Sequence, residues 1–343
     1  MLAGLIIVLL LVLTLPFFVK PIERNLEPFL FVMGLAATLI SGVLNKGLIS
    51  HILTNHLMYL ITGAVLIFGL LFSFFQNQMH IWIKKVLEHI PLKVFVFLLV
   101  GILGLFSSVI TAIISALILA EVVNALPLKR QAKISTTIIG CFAIGLGAAL
   151  TPIGEPLSTI VVSRLGEQFF YLLKLLGLFI IPGIAALSLL SVFTARSKDI
   201  EQCGAEPADL EDETIGGVLL RAGKIFLFIM ALELLGSGFK PVIDAYIINL
   251  DGRLLYWINM ISAVLDNATL AAAEISPAMS GLQIEAILMG LLISGGMLIP
   301  GNIPNIISAG KLKITSSEWA KLGVPLGLIL LVIYFITIFV ILA

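Results

Sequence analysis

The sequence predicts an all-α polytopic membrane protein of about eight spanning helices plus two re-entrant hairpins, arranged as inverted-topology repeats with two broken helices. Three observations lead there. The 343 residues are 60% hydrophobic and 12% charged, with a mean hydropathy of +1.17, whereas a soluble domain carries roughly 25% charged residues. Apolar runs of about 18 residues or more recur, the length a helix needs to cross a bilayer. Two further apolar stretches have polar centres, and each precedes a run interrupted by Gly and Pro.

Taken in order, spans are expected near 2–19, 29–44, 57–75, 135–164, 169–193, 216–238, 284–309 and 319–343. Leu2 to Val19 is apolar with no basic residue before it. A secretory signal would open on positive charge and close on a small-residue cleavage site, so this stretch reads as a first span with its N-terminus outside. Residues 76–92 read as an amphipathic helix on the inner interface, anchored by Trp82 and lysines. Residues 194–214 are an acidic linker, read as a solvated connector.

Val94 to Ala125 is too long for one comfortable helix and too short for two with a polar turn. Its middle is Ser107-Ser108-Val-Ile-Thr111. Leu254 to Met279 has Leu265-Asp-Asn-Ala-Thr269 at its centre. Both read as hairpins of two half-helices, about 13 residues or 20 Å each at 1.5 Å per residue, that reach mid-membrane and return. With hairpins returning to the side they left, fifteen basic residues fall on the inner face. Five fall outside: Lys46, Arg164, Lys174, Lys240 and Arg253. This is a strong positive-inside bias. Lys93 and Lys129, flanking the first hairpin, make it open to the cytoplasm, and the second opens outward. Both termini then lie outside an inner cell membrane crossed many times.

Two expected spans carry breaks: GLGAALTPIGEPLST at 145–159 and SGGMLIPGNIPNIIS at 294–308, each with Pro-x-x-x-Pro. A helix-interior proline costs about 3 kcal/mol and frees a carbonyl, and unwound backbone survives at membrane depth only against protein or a polar cavity. The pairing of hairpin and broken helix occurs twice, with Thr111 matched to Thr269 and Pro152 to Pro300. The expected division is a first span and loop at 1–28, repeat 1 at 29–165 (hairpin 94–125, broken helix 135–164), repeat 2 at 166–310 (linker 194–214, hairpin 254–279, broken helix 284–309) and a last span at 311–343. Three full crossings per repeat invert the second copy, an architecture of transporters.

The candidate ion- or substrate-binding residues are Ser107, Ser108 and Thr111 at the first tip and Thr151, Glu155 and Ser158 at the first break. The second unit offers Asp266, Asn267 and Thr269 at its tip and Asn302 and Asn305 at its break. All are oxygen donors or amides, the ligands that hard cations prefer. Asp266, Asn267, Thr269 and Glu155 are the expected cation ligands, because an ionisable group at bilayer centre usually marks an ion path. Each has a plainer reading beside it: Asp266 and Glu155 as structural carboxyls bonded to backbone amides, the serines as caps or packing residues, and the asparagines as loop braces. Glu121 and Glu274 are expected to face the interface, and Glu233 to be a structural partner within its span.

The zero net charge implies no nucleic-acid partner. Cys141 and Cys203 make neither a disulfide framework nor a metal site, and His51, His56, His80 and His89 lack ligand spacing.

Two opposed hairpins with polar tips, each followed by a Pro/Gly-broken helix, resemble the ion transporter superfamily of NhaD-type sodium/proton antiporters, arsenite transporters and sodium-coupled dicarboxylate carriers. The Leu265-Asp-Asn-Ala-Thr269 tip and the Thr151-Pro-Ile-Gly-Glu155 break look like NhaD-type motifs, and "TPIGEPLST" with "LIPGNIPNIISAGKLKI" looks like a compact prokaryotic branch of cation transporters. The first tip lacks the asparagine of dicarboxylate carriers, and the Asp-Asn pair lies in the second hairpin rather than the first. The resemblance implies a homodimer and a secondary active cation transporter rather than an enzyme. Its partners would be a monovalent cation and protons in a lipid bilayer, with Na⁺ as the transported or coupling ion and no further cofactor. Sodium/proton antiport by alternating access leads, and sodium-coupled symport of a small carboxylate or oxyanion is the alternative.

Overall fold

A computed structural model describes residues 1–56, 85–195, 215–246, 251–263, 267–275 and 279–341, with isolated positions between 57 and 84 and Pro277. Regular structure among the described residues is helical throughout. The chain runs through α1 (Leu2–Phe18), α2 (Lys20–Arg24), α3 (Leu26–Ser41), α4 (Lys46–Leu53), α5 (Leu92–Ile110), α6 (Ala112–Ala125), α7 (Arg130–Ala148), α8 (Pro156–Leu165) and α9 (Tyr171–Ser191). There follow α10 (Ile215–Tyr246), α11 (Gly252–Ile258), a 3-10 turn (Asn259–Ala263), α12 (Asn267–Glu274), α13 (Gly281–Gly295), a second 3-10 turn (Ile299–Gly301), α14 (Ile303–Leu312) and α15 (Ser316–Ile336).

Four helices among the described residues are long and apolar enough to cross a membrane: Leu92–Ile110, Arg130–Ala148, Tyr171–Thr194 and Ser316–Ile341. Their outward faces are apolar. Ile102, Phe106 and Val109 on α5, Leu178 and Leu189 on α9, and Ile329, Ile333 and Val340 near the C-terminus are all exposed. An apolar surface of this extent suits lipid rather than water. Proline sits inside α1, α9, α10 and α15, a placement that membrane helices tolerate where neighbours satisfy the freed carbonyls.

The interior is built on α7 and α13, both almost wholly buried from mid-helix to C-terminus. Small residues bring the helices close, as expected where lipid supplies no hydrophobic drive between them. A Cβ at Gly147 of α7 would overlap the Gly104 carbonyl of α5, and one at Gly290 of α13 would lie 2.8 Å from the Tyr256 carbonyl of α11. Gly34 and Gly238 similarly seat α3 against α10.

Chain direction around Thr111 follows from a satellite cluster. Val96 near the start of α5 packs with Leu126 just past the end of α6, with Leu128 and Ala132 at the start of α7, and with Ala195. The chain therefore leaves along α5, reverses at Thr111 and returns along α6. Thr111 carries φ +76° and ψ 151°, a conformation that β-branched residues avoid. Its hydroxyl caps α6 by accepting from the Ile114 amide.

Several sequence expectations shift in detail. The arms around Thr111 have 19 and 14 residues rather than about 13 each, so α5 alone reaches membrane-crossing length. Ser107 and Ser108 lie in the last turn of α5, not at the reversal. The broken helix expected at 135–164 runs from Arg130 to Leu165 as α7 and α8, separated by 149–155, and the one expected at 284–309 runs from Gly281 to Leu312 as α13 and α14 around a 3-10 turn. Where the first arm of a second hairpin is expected, a short α11 and a 3-10 turn stand in place of a half-helix of about 13 residues. About half of the expected 57–75 span lies outside the described residues, as do 76, 77, 79, 80 and 82–84 of the expected 76–92 amphipathic helix, Trp82 among them, linker residues 196–214, and residues 264–266 at the start of the second tip.

Candidate functional site

At the first break, the C-terminal carbonyls of α7 lose their helical partners, as at any helix end, and the following half-helix returns to supply them. Ser158 Oγ donates to the Ala148 carbonyl at 3.4 Å, ten residues back. Thr159 Oγ1 donates to the Pro152 carbonyl, seven residues back. Gly154 sits so close to Ala148 that a Cβ would overlap its carbonyl. This is why a glycine precedes Glu155.

The reversal at Thr111 is bound to this break. The Ala112 amide, first in α6, donates to the Gly154 carbonyl at 2.8 Å. Thr151 Oγ1 donates to the Ser108 carbonyl. Ser107 Oγ reaches the Ile144 carbonyl at 3.0 Å. Thr151, Glu155, Ser107 and Ser108 are all buried and Ser158 fully so, while Thr111 is half-buried. One flank stays open, with Ile153 exposed at 53%.

The second break repeats this pattern. Asn305 Nδ2 donates to the Gly295 carbonyl at 2.8 Å, again ten residues back, and to Leu298 at 2.9 Å, again seven residues back. Ser262 Oγ donates to the Leu291 carbonyl at 3.2 Å, as Ser107 does to Ile144. Three matched pairs, Ile144 and Leu291, Ala148 and Gly295, Ser158 and Asn305, share one offset of 147 residues. Ser107 with Ser262 and the helix starts Ala112 with Asn267 share another, of 155. On that second offset Asp266 stands in sequence opposite Thr111, where residue type alone had paired Thr111 with Thr269.

The two units interlock. α6 packs against α14 and α12 against α8, so a short helix of each half lies along the helix that follows the break in the other half. Asn302 approaches Gly145 of α7, whose Cβ position lies 2.9 Å from Asn302 Nδ2. Phe142 of α7 fills the space that Gly296 leaves, and Cys141 donates to Ser308 Oγ at 3.3 Å. Trp319, fully buried on α15, donates its indole N–H to the Gly296 carbonyl at 3.1 Å, closing an orphan acceptor at the end of α13.

Three expected site residues prove to be cap positions: Thr111 before α6, Glu155 before α8 and Asn302 before α14. Asn267, 3% exposed, opens α12, and its Nδ2 has no hydrogen-bond partner. Thr269 lies in the first turn of α12. Asp266, which precedes α12 in sequence, is outside the described residues. Asn305 is a brace through its amide, with its Oδ1 buried and free of donors. Among the described residues no three His, Cys, Asp or Glu side chains gather as a metal cluster. A cation here would be held by hydroxyl, amide and carbonyl oxygens with single carboxylates, the hard donors sodium prefers.

Sequence reasoning overlooked Ser262, although its four-residue lead over Asp266 repeats the lead of Ser107 over Thr111. It also set Glu121 and Glu274 at the interface, whereas they are 3% and 1% exposed. Glu121 pairs with Lys311 across the α6–α14 contact, with side chains 4% and 9% exposed. Glu233 accepts from Asn55 Nδ2 at 2.6 Å, a structural partnership.

A family model described as "Protein of unknown function (DUF1646)" matches residues 2–341. No curated protein matches the chain.

Proposed function

The chain belongs to the DUF1646 family, and from the site's geometry we propose that it is a secondary active cation transporter, exchanging sodium for protons by alternating access. The observation that carries this reading is the doubled site: a reversal bound to a broken helix, its polar groups buried, with matching hydrogen bonds recurring in the second half at offsets of 147 and 155 residues. Internal repeats whose broken helices meet are how transporters build one site reachable from either side. In this reading the 94–125 and 254–279 segments are re-entrant hairpins opening to opposite faces. Glu155 and Asp266 bind cation or proton in competition, helped by Thr151, Asn267, Thr269 and Asn302. The homodimer and the outside termini belong to the same proposal.

The half-helix ends bear on the choice between cation and anion. α6, α8, α12 and α14 all start at the breaks or tips, and helix N-termini favour negative charge. That observation supports the second reading, sodium-coupled uptake of a small carboxylate or oxyanion. Two of the four residues preceding these starts, Glu155 and Asp266, are already acids, so the positive ends have resident anions, and the net field left over suits a cation.

The test is purified protein in proteoliposomes with an internal pH-sensitive dye, given Na⁺, Li⁺ and K⁺ in turn, then labelled carboxylates and oxyanions at a fixed pH gradient. Cation-driven proton movement that Asp266→Asn and Glu155→Gln abolish is expected. A fully active Asp266→Asn protein, or sodium-dependent anion uptake without proton exchange, overturns the antiport reading.

A further inference from the structure

Two returning arms each bury a carboxylate, and the structure treats them differently. Glu121 of α6 has the Lys311 ammonium against it. Glu274 ends α12, is 1% exposed, and neither of its oxygens has a hydrogen-bond partner. Asn259 lies beside it, outside hydrogen-bond geometry to either oxygen. The Asn259 amide donates instead to the Ile287 carbonyl at 3.4 Å, and its Oδ1 is buried without a donor. Among the described residues, then, three buried acceptor oxygens lie in this neighbourhood with no hydrogen bond made to any of them.

The helices packed against α12 are α8, α10 and α13. Their charged residues are Arg164 on α8, Glu285 on α13, and Arg221, Lys224, Glu233, Lys240 and Asp244 on α10. Among those whose side chains are described, none forms an ion pair with Glu274. A buried carboxylate with neither counter-charge nor donors is far less stable than its neutral form. One proton removes the charge and supplies an O–H where acceptors are stranded.

We infer that Glu274 is a proton-binding site distinct from the tip and break carboxylates, neutral in this conformation, and that it takes up and releases the proton exchanged in transport. The second half of this statement rests on the antiport reading, and the first does not. The division of labour is physical: Glu155 precedes a helix N-terminus, which favours its charged form, while Glu274 closes a helix, where negative charge is disfavoured.

Infrared difference spectra of the full-length protein in lipid, recorded while pH is raised, test the site directly. A carboxylic C=O band that titrates is expected in the wild type, absent in Glu274→Gln and displaced in Asn259→Ala, which keeps the acid. A spectrum unchanged by Glu274→Gln shows the group ionised and overturns the inference. The flux arm uses proteoliposomes: Glu274→Gln is expected to lose sodium-driven proton movement while retaining exchange of labelled for unlabelled sodium. Unaltered proton coupling in that variant overturns the transport role alone. A wild type that moves no cation overturns the antiport reading, while the infrared band still decides the proton site.

Discussion

The Glu121–Lys311 pair gives the sharpest stability prediction. Burial decides its magnitude. Arg130 and Glu318 form an ion pair with side chains 57% and 27% exposed, and such surface pairs contribute about 0–1 kcal/mol. Glu121 and Lys311 are 4% and 9% exposed, so removing either partner leaves the other's charge in the interior, at a cost of about 3–5 kcal/mol. Replacing both by neutral side chains of similar volume is about neutral, because the desolvation of two charges disappears with their attraction. Glu121→Gln and Lys311→Met should therefore each lower the melting temperature by roughly 6–10 °C, taking about 2 °C per kcal/mol for a chain of this size. The double variant should recover most of that loss. Tryptophan fluorescence during thermal unfolding in detergent measures all four proteins. Single variants that melt with the wild type would show the pair to be hydrated, and a double variant as unstable as the summed singles would show the residues acting independently.

Three further outcomes follow from the same packing. Gly147→Ala drives a methyl group into the Gly104 backbone and should lower stability by about 1–3 kcal/mol or prevent folding. Gly223→Ala, in α10 with nothing within 4 Å of its Cβ position, should be neutral or stabilising by up to about 1 kcal/mol, and the same melting assay compares them. Asn305→Leu removes the donor from the Gly295 and Leu298 carbonyls and should cost about 1–3 kcal/mol, with faster amide exchange around 296–302 as the local signature.

The membrane class and the positions of both breaks were legible because they follow from local chemistry. A Pro-x-x-x-Pro with glycine between the prolines cannot continue a helix, and both segments do unwind there. The reversal was legible only as a polar patch. Ser107 and Ser108 drew attention as tip residues, yet they stay helical, and Thr111 takes the unusual backbone angles because its hydroxyl can cap α6. Residue type also misaligned the two halves, pairing Thr111 with Thr269. The hydrogen bonds of Ser107 and Ser262 place the correspondence three residues earlier, since what recurs is a carbonyl in need of a donor, not an amino acid.

By itself the sequence determined what any chain of this composition must do: bury its backbone polar groups in helices and leave apolar faces to lipid. It also determined where those helices must stop. Which carboxylates are interior was decided only by tertiary structure. Glu121 and Glu274 lie within or at the end of apolar helices, and counting residues along a helix gives depth without giving direction. The crosswise packing of α6 on α14 set a lysine beside one of them, and the packing of α12 on its neighbours left the other with no ion-pair partner among the described residues. Charge compensation is a property of neighbours distant in sequence, so no local pattern records it.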